Sequence, residues 1–238
     1  MKLKYAKYLM EKIKDDYEKI AEFFFLKRRF FWPELEKIKD YIKDGDKILD
    51  WGCGHGRLLL ALKDKKISYI GIDSSPKLLK IAKKNFPDYD FRTLNKLSLP
   101  FSNSLFNVIC CIAAIHHIPS KNFRLKLLKE FKRVLKKDGF LILTSWYLYK
   151  GEKKVILKYM FKWVLNKIFR KETELDFRDL FIPWKNEKGK IIANRYFHAF
   201  SKKELANLVK KAGFEIKKLE IVKRGKNFAN ILIIATRQ

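Results

Sequence analysis

The segment Asp50-Trp51-Gly52-Cys53-Gly54-His55-Gly56 decides how the rest of this chain is interpreted. It ends a short apolar run, Lys47–Trp51, and precedes a run that is predicted to be helical, Arg57–Lys63. Glycines at every second position allow the backbone to turn tightly and to approach a ligand closely. The N-terminus of a helix after such a turn offers free N–H groups to an anionic part of that ligand. A dinucleotide-binding fingerprint would require glycine at position 57, where arginine stands.

Apolar runs alternate with helical patterns on the C-terminal side of this segment. Strands are predicted at Ser68–Asp73, Phe106–Ala113 and Phe140–Trp146, with helices at Pro76–Asn85 and Asn122–Lys136 between them. Near-continuous apolar strands separated by helices are typical of a parallel sheet that is covered on both faces. The alternation resumes late in the chain, with helix Lys202–Lys211 after its N-cap Ser201, and with strands Phe214–Val222 and Ile231–Thr236 joined by Gly225-Lys226-Asn227.

The domain organisation is predicted to be a single α/β domain over residues 1–238. Residues 1–44 have helical spacing and are predicted to form an N-terminal helical cap, with Pro33 opening its second helix. Residues 148–195 interrupt the alternation and are predicted to be a basic, aromatic insertion. That insertion contains a helix at Lys153–Arg170 and a loop with Pro183 and Trp184.

Composition limits the possible functions. The chain has 238 residues, 54 Lys+Arg against 26 Asp+Glu, and a formal net charge of +28. Such an excess favours a polyanionic partner, with a lysine bias of the source genome as the alternative, because only eleven of the 54 are arginine. The 47% hydrophobic content excludes disorder. The start of the chain lacks a signal-peptide core, and no stable membrane insertion is expected. The three cysteines have no spacing typical of a disulfide framework, which indicates a reducing cytoplasm. No metal site is expected.

An acid at a strand end followed by G-x-G-x-G resembles motif I of the class I S-adenosylmethionine-dependent methyltransferases. The resemblance implies a doubly wound, mostly parallel seven-stranded α/β sheet and S-adenosylmethionine as cofactor. It implies that Asp50 faces the amino-acid end of the cofactor and that the loop accommodates its methionine part, through Gly52, Cys53, Gly54 and Gly56. Asp73 ends the next strand, where a carboxylate can accept both ribose hydroxyls, with Ser74 beside it. The alternative is that Asp73 caps the helix that begins at Pro76, and one acid could do both.

The same resemblance suggests further cofactor contacts. The family usually places an acid after the third strand to meet the adenine amino group, and here Asn95 occupies that position, ahead of Leu97. The Asn95 side-chain oxygen can still accept a hydrogen bond. Ala113 follows the fourth strand. An aromatic residue near the N-terminus commonly covers the cofactor, and Tyr17 is the candidate for this role, with core packing as the alternative.

Nearly the whole chain also resembles the tRNA methyltransferases that esterify 5-carboxymethyluridine at the wobble position. The segments that carry this narrower resemblance are Tyr17–Ala21 with Phe24, Arg29, Trp32 and Pro33, then Ile112–His117, Asp179–Trp184 and Arg195–Phe200. It implies tRNA, through its anticodon loop, as a partner, and a possible small zinc-ribbon activator subunit. Two positions depart from the pattern: Tyr147–Tyr149 lacks the usual polar run, and Asn107 replaces a common Asp.

Methylation of a carboxylate needs no general base, because the acceptor is already a nucleophile at pH 7. It needs in-line positioning and exclusion of water, so cationic and hydrogen-bond donors are expected around the acceptor. Arg195 can hold a carboxylate bidentately, with Tyr196 and His198 nearby in sequence. His116 and His117 follow a strand at the edge where open α/β sheets bind ligands. Two alternatives to substrate contact remain open: Arg195 could pair with an acid in the core, and one of His116 and His117 could be a packed core residue.

Two other functions remain open as well. Small-molecule and lipid (quinone-type) methyltransferases share motif I and the Leu-Pro-Phe segment, and the basic helix would then rest on an acidic membrane. In an RNA enzyme that helix would contact the phosphate backbone instead. A non-catalytic subunit that kept the fold is the third possibility. Trp184 is expected to pack rather than to stack on a base.

Overall fold

A computed structural model describes residues 1–225 and 227–237 of the chain. A seven-stranded sheet forms its centre, with strand order β3-β2-β1-β4-β5-β9-β8. Its strands are β1 (Lys47–Trp51), β2 (Ser68–Asp73), β3 (Asp90–Thr93), β4 (Phe106–Ile112), β5 (Leu135–Trp146), β8 (Phe214–Arg224) and β9 (Phe228–Arg237). Strands β1 to β5 pair in parallel, whereas β9 runs antiparallel to both β5 and β8. The doubly wound, mostly parallel sheet predicted from the sequence is confirmed.

Helices connect and cover these strands. The α-helices are α1 (Leu3–Leu26), α2 (Pro76–Asn85), α3 (Lys121–Val134), α4 (Lys153–Ile168) and α5 (Lys202–Lys211), and 3₁₀ helices lie at Pro33–Tyr41, Arg57–Leu60, Ile115–His117 and Leu148–Lys150. The sequence predicted Ser201 as the N-cap of α5 and offered Asp73 as a possible N-cap of α2. Ser201 was expected and accepts the Glu204 N–H, whereas Ser75, not Asp73, caps α2 by accepting the Leu78 N–H. None of the helices in the described residues is long and apolar enough to cross a membrane.

Alternate side chains of the strands pack into two hydrophobic layers, one on each face of the sheet. One layer joins residues such as Leu49 and Ile109 to α3 and α5. The other joins Ile48 and Val108 to α2 and to the first 3₁₀ helix. Because successive strand residues point to opposite faces, a strand covered on both sides must be apolar throughout, as these are.

Two local predictions are corrected. The helix expected at Arg57–Lys63 is a 3₁₀ helix that ends at Leu60, because hydrogen bonds from i to i+3 tighten the turn after Gly56. A segment this short adds little helix dipole to the glycine-rich loop. Pro183 and Trp184, expected in a loop, lie in strand β6 (Asp179–Lys185), which forms a two-stranded sheet with β7 (Ile191–His198). Proline is accepted there because a two-stranded hairpin leaves one edge of each strand unpaired. Lys226, in the predicted β8–β9 turn, lies outside the described residues.

Candidate active site

A cavity opens at the carboxyl ends of β1, β2 and β4 and is roofed by α1. It encloses about 1150 Å³ of atom-free space, part of which is open to solvent at the mouth. The order of the strands reverses between β1 and β4, which is where open α/β sheets place their ligands. Predicted residues that line it are Tyr17, Asp50, Gly52, Cys53, Gly54, Asp73, Ser74, Asn95, Ala113 and His117.

The glycine-rich loop is shaped by left-handed backbone and by close contact. Gly52 has φ +74°, and a Cβ atom there would lie 2.5 Å from the Ala114 Cβ atom. Any side chain at position 52 would therefore collide with Ala114 and strain the left-handed backbone of the loop. Gly56 also has a positive φ, but it does not line the cavity, and a Cβ atom there would meet Phe86 and Phe91 instead. The structure thus places Gly56 behind the loop against Phe86 and Phe91, and the cofactor contact expected for it stays a prediction.

Asp73 holds the loop in place. Its Oδ2 atom accepts the Gly54 N–H at 2.9 Å, and its Oδ1 atom accepts the Ser75 N–H at 2.9 Å. Burial raises the pKa of this carboxyl, while the backbone N–H donors of Ser75 and Gly54 oppose that shift. Each carboxylate oxygen can accept a second bond, so the side chain can order the loop and still receive two hydroxyl donors from the cavity.

Asp50 lies at the end of β1 and is 2% exposed. Its Oδ2 atom accepts the Tyr69 hydroxyl at 2.8 Å, whereas its Oδ1 atom has no partner among the described residues. Burial raises the pKa of Asp50 to about 7, and the Tyr69 hydrogen bond only partly opposes this. A buried carboxylate oxygen without a donor, facing a cavity, fits a cationic group of the ligand.

Asp50 makes the affinity for a ligand ammonium depend on pH. Only the ionised carboxylate attracts the ammonium, and burial sets the pKa of Asp50 in the free protein at about 7. We therefore expect the dissociation constant of the cofactor that the sequence resemblance implies to rise by up to about tenfold per unit as pH falls from about 7 to about 5.5. Calorimetric titrations across this range measure it. Asp50→Asn cannot ionise and should give weaker binding with a flat profile; a sloping profile in this variant would assign the effect to another group.

Asn95 presents an acceptor to the cavity. Its Nδ2 atom donates to the Glu11 carboxylate at 2.7 Å, which fixes the orientation of the amide, because a carboxylate can only accept. Its Oδ1 atom is buried and has no partner among the described residues. This geometry suits the acceptor role expected for Asn95. Leu97, the next predicted contact, does not line the cavity and packs against the core instead.

Helix α1 roofs the cavity because three of its side chains are tied to neighbouring elements. Glu18 accepts the Ser75 hydroxyl and the Lys77 N–H at the start of α2. Glu11 accepts from Asn95, as described, and Lys12 donates to the Asn194 carbonyl of β7 at 2.8 Å. These bonds place the α1 residues Met10, Ile13 and Tyr17 over the opening.

Tyr17 and His117 form a hydrogen-bonded pair in the cavity wall. His117 Nδ1 lies 2.9 Å from the Tyr196 carbonyl oxygen and so must donate to it. Its Nε2 atom therefore accepts the Tyr17 hydroxyl, at 2.7 Å. Burial lowers the pKa of His117 to about 3, although the Tyr196 carbonyl opposes this shift. His117 is thus a neutral acceptor that orients Tyr17, and not a source of positive charge.

Arg195 lies next to this pair without lining the cavity itself. It is 5% exposed, and its guanidinium lies 4.8 Å from the Trp184 ring centre and 5.1 Å from that of Phe197. Burial raises the pKa of Tyr17, and the nearby Arg195 charge is the largest opposing effect. The Nε and Nη1 atoms of Arg195 have no hydrogen-bond partner among the described residues. In the described part of the chain no acid bonds to these two atoms, which argues against the core ion pair that the sequence left open for Arg195.

His116 and Trp184 are two further buried donors near Arg195. The His116 ring stacks on Phe197 at 5.2 Å, and its Nδ1 atom accepts the Trp146 N–H at 3.3 Å. Burial lowers the pKa of His116 well below its usual range, so the ring is neutral and its proton is on Nε2. Within the described residues neither that Nε2 atom nor Trp184 Nε1 has an acceptor. We call Arg195, His116 and Trp184 the donor cluster.

Tyr196 and His198 are not part of this cluster, which corrects the expectation that they contact the acceptor. Strand residues alternate in direction, so positions 196 and 198 face away from Arg195. His198 lies between two carboxylates, with Nδ1 2.6 Å from Asp179 Oδ1 and Nε2 2.7 Å from Glu204 Oε1. The Tyr196 side chain is fully buried against Phe181. The strand Ile191–His198 was not predicted from the sequence, and its alternation is the signal that separates Arg195 from Tyr196 and His198.

Sequence reasoning missed several residues that line the cavity. Arg28, at the end of α1, lies 5.0 Å from the Trp146 ring centre and 5.8 Å from that of Trp32. The Arg57 guanidinium lies 3.9 Å above the same Trp32 ring. No motif marks Arg28, which lies in the turn after α1.

A family model described as a methyltransferase domain matches residues 18–219, which include the glycine-rich loop, both strand-end carboxylates and the donor cluster. This chain belongs to the class I S-adenosylmethionine-dependent methyltransferases. The residues present fit the family cofactor: Asp50 Oδ1 would be an acceptor for its ammonium, Asp73 for its ribose hydroxyls and Asn95 Oδ1 for its adenine amino group. When bound, S-adenosylmethionine supplies an electrophilic methyl group on a sulfonium.

The methyltransferase is similar to named relatives. It is 31% identical over 219 residues to a tRNA (carboxymethyluridine(34)-5-O)-methyltransferase of Schizosaccharomyces pombe, covering 88% of this chain and 91% of that protein. It is 31% identical over 130 residues to the Arabidopsis thaliana protein of the same name, covering 55% of this chain. The chain spans less than a third of that plant protein, with 31% covered.

Solved structures confirm the fold of the methyltransferase. An S-adenosylmethionine-dependent methyltransferase of Methanosarcina mazei superposes with a TM-score of 0.67 at 24% identity, covering 87% of this chain and 98% of that one. A Haloferax volcanii methyltransferase, solved in complex with the Trm112 methyltransferase activator, gives a TM-score of 0.60 at 17% identity, and the match covers 94% of this chain and 96% of that one.

Proposed function

We propose that this methyltransferase acts on tRNA and forms the methyl ester of 5-carboxymethyluridine at the wobble position. The observation that carries the proposal is the donor cluster: Arg195, His116 and Trp184 present buried N–H groups with no acceptor among the described residues. Buried polar groups are nearly always paired, so a set of unpaired donors indicates the chemistry of an absent ligand. A carboxylate supplies only acceptors and a negative charge, which complements this set.

The histidine geometry supports a carboxylate acceptor over an acceptor that must lose a proton. His117 Nε2 is occupied by the Tyr17 hydroxyl, and His116 Nδ1 by Ser145 and Trp146. Both imidazoles are neutral, and their basic nitrogens are already in use. A carboxylate needs no base, whereas an amine or hydroxyl acceptor requires one. Arg195 would bind and orient the acceptor, and the aromatic rings around it would exclude water.

The mouth of the site supports a nucleic acid as the carrier of that carboxylate. Lys27, Arg28, Trp32, Pro183, Trp184 and Lys185 line a second concavity beside the cavity. The Lys27 ammonium lies 5.4 Å from the Trp184 ring centre. Cations interleaved with aromatic rings suit a splayed nucleotide in a single-stranded loop. The net charge of +28 adds long-range attraction to a polyanion, and the names of the relatives point to the same substrate.

A methyl-transfer assay tests the proposal. The protein is incubated with labelled S-adenosylmethionine and with tRNA that carries carboxymethyluridine, and the nucleosides are identified by mass spectrometry. We expect the methyl ester of the wobble nucleoside, and no label in tRNA that lacks the carboxymethyl group.

Two arms of the assay distinguish the alternatives. Because one similar structure was solved with the Trm112 activator, a zinc-ribbon subunit of that kind is added in a parallel reaction. Label in another nucleoside would retain an RNA enzyme but contradict the carboxylate chemistry. No label with or without the activator, while the cofactor still binds, would contradict the RNA substrate.

A further inference from the structure

Helix α4 carries a row of exposed apolar side chains that the proposed reaction does not use. Leu157, Phe161, Val164, Ile168 and the adjoining Phe169 are between 41% and 67% exposed. The first four are spaced by four, three and four residues, so they form one continuous strip along the helix. We call these five residues the α4 ridge.

The ridge faces outward because the opposite side of α4 is fixed to the protein. Ile156 is buried, and Tyr159 and Met160 pack with it against Leu148, Leu180 and Phe197. Trp163 Nε1 donates to the Leu175 carbonyl oxygen at 3.2 Å. The ridge therefore cannot turn inward without breaking this packing.

Lysines border the ridge on both sides. Lys154, Lys158 and Lys162 follow one flank, and Lys153 and Lys167 lie on the other; all five are exposed. No acidic residue occurs between positions 153 and 171. The surface thus has an apolar centre and a cationic border over the length of the helix.

We propose that the α4 ridge docks this protein onto an anionic lipid bilayer, with α4 lying in the plane of the interface. A bilayer presents acyl chains beneath a layer of anionic headgroups, which complements an apolar centre with a cationic border. Lysine is depleted from protein interfaces, so its abundance around the ridge favours lipid over a protein partner. A second copy would bring lysines against lysines. Three of the five ridge residues, Leu157, Val164 and Ile168, are aliphatic and neither stack on bases nor bond phosphates, which favours lipid over RNA among the two surfaces that the sequence left open for this helix.

Vesicle flotation tests this proposal. Vesicles of phosphatidylcholine containing about one third phosphatidylserine are compared with phosphatidylcholine alone at physiological ionic strength. The triple variant Leu157→Ser, Phe161→Ser, Ile168→Ser keeps every charge, and we expect it to bind the anionic vesicles at least about tenfold more weakly than the unaltered protein. The matched control, Leu3→Ser, Ile191→Ser, Phe228→Ser, removes three apolar side chains that are similarly exposed elsewhere and should bind normally.

Each other outcome overturns the proposal. If the ridge variant binds the anionic vesicles as tightly as the control variant and the unaltered protein, the net positive charge alone explains the binding. Loss of tRNA binding by the ridge variant, with no vesicle binding by the unaltered protein, would assign the surface to RNA. A dimer that the ridge variant converts to a monomer would assign it to a second copy. Methyl transfer to tRNA is measured in parallel, because its failure bears on the proposed function and leaves the lipid result intact.

Discussion

Arg195→Ala is expected to lower the rate of methyl transfer by about 10²–10³-fold while the affinity for S-adenosylmethionine stays unchanged. Hydrogen bonds to a charged group contribute about 1.5–3 kcal/mol each, and each 1.36 kcal/mol is a factor of ten. Two bonds from the Arg195 fork to a carboxylate therefore account for an effect of this size. Single-turnover methylation measures the rate, and calorimetry with S-adenosylmethionine measures the affinity. A normal rate would remove Arg195 from the acceptor site.

Two controls keep this result from reflecting a misfolded variant. Arg195 is buried without an acid partner among the described residues, so its removal breaks no ion pair there and loses the ring contacts with Trp184 and Phe197 and the interaction with the Tyr17 hydroxyl. The free energy of unfolding should stay within about 1 kcal/mol of the original or rise, because an unpaired buried charge is removed. Arg195→Lys keeps the charge without the planar fork and should recover only part of the rate. A strongly destabilised alanine variant would indicate a structural role.

Asp73→Ala is expected to weaken S-adenosylmethionine binding by about a hundredfold or more. The substitution removes the acceptor for the ribose hydroxyls and releases the Gly54 and Ser75 N–H groups that order the loop. Loss of two bonds to a carboxylate costs about 3 kcal/mol or more, which corresponds to about a hundredfold in the dissociation constant. Isothermal calorimetry provides the measurement.

Asp90→Ala is the matched control for this prediction, because it removes the same charge from the neighbouring strand β3. The Asp90 carboxylate is exposed and pairs only with Arg92 in the described part of the chain, so binding should not change. Asp73→Asn keeps an acceptor without the charge, and its affinity for S-adenosylmethionine should lie between those of Asp73→Ala and Asp90→Ala. If Asp73→Ala binds the cofactor as tightly as Asp90→Ala does, the nucleotide site lies elsewhere.

The cofactor half of the site could be predicted from the sequence because its residues are local. Asp50, the glycines after it and Asp73 each stand at the end of an apolar strand, and parallel strands bring their carboxyl ends to one edge. Gly56 and Leu97 show the limit of this reasoning. Both residues lie in segments that reach the cavity. Which side of such a segment faces the cavity depends on the side chains that pack on its other side, and for Gly56 these are Phe86 and Phe91.

The acceptor half could not be predicted to the same depth. Arg195, Tyr196 and His198 are neighbours in sequence, yet β7 directs Arg195 to one side and the other two to the opposite side. The roles of His116 and His117 depend on Tyr17, one hundred residues away from His117, and on the carbonyl of Tyr196. Residue types alone carry no information about such pairings.

The sequence by itself determined the sheet, the glycine-rich loop and the two strand-end carboxylates, because hydrophobic periodicity and glycine positions act over a few residues. Only the tertiary structure decided that α1 roofs the cavity, that Arg28 and Trp32 line it, and that the donors around Arg195 have no acceptor. These features arise when the interior closes and each buried polar group either finds a partner or does not. That outcome depends on distances between segments far apart in the chain, which no local pattern encodes.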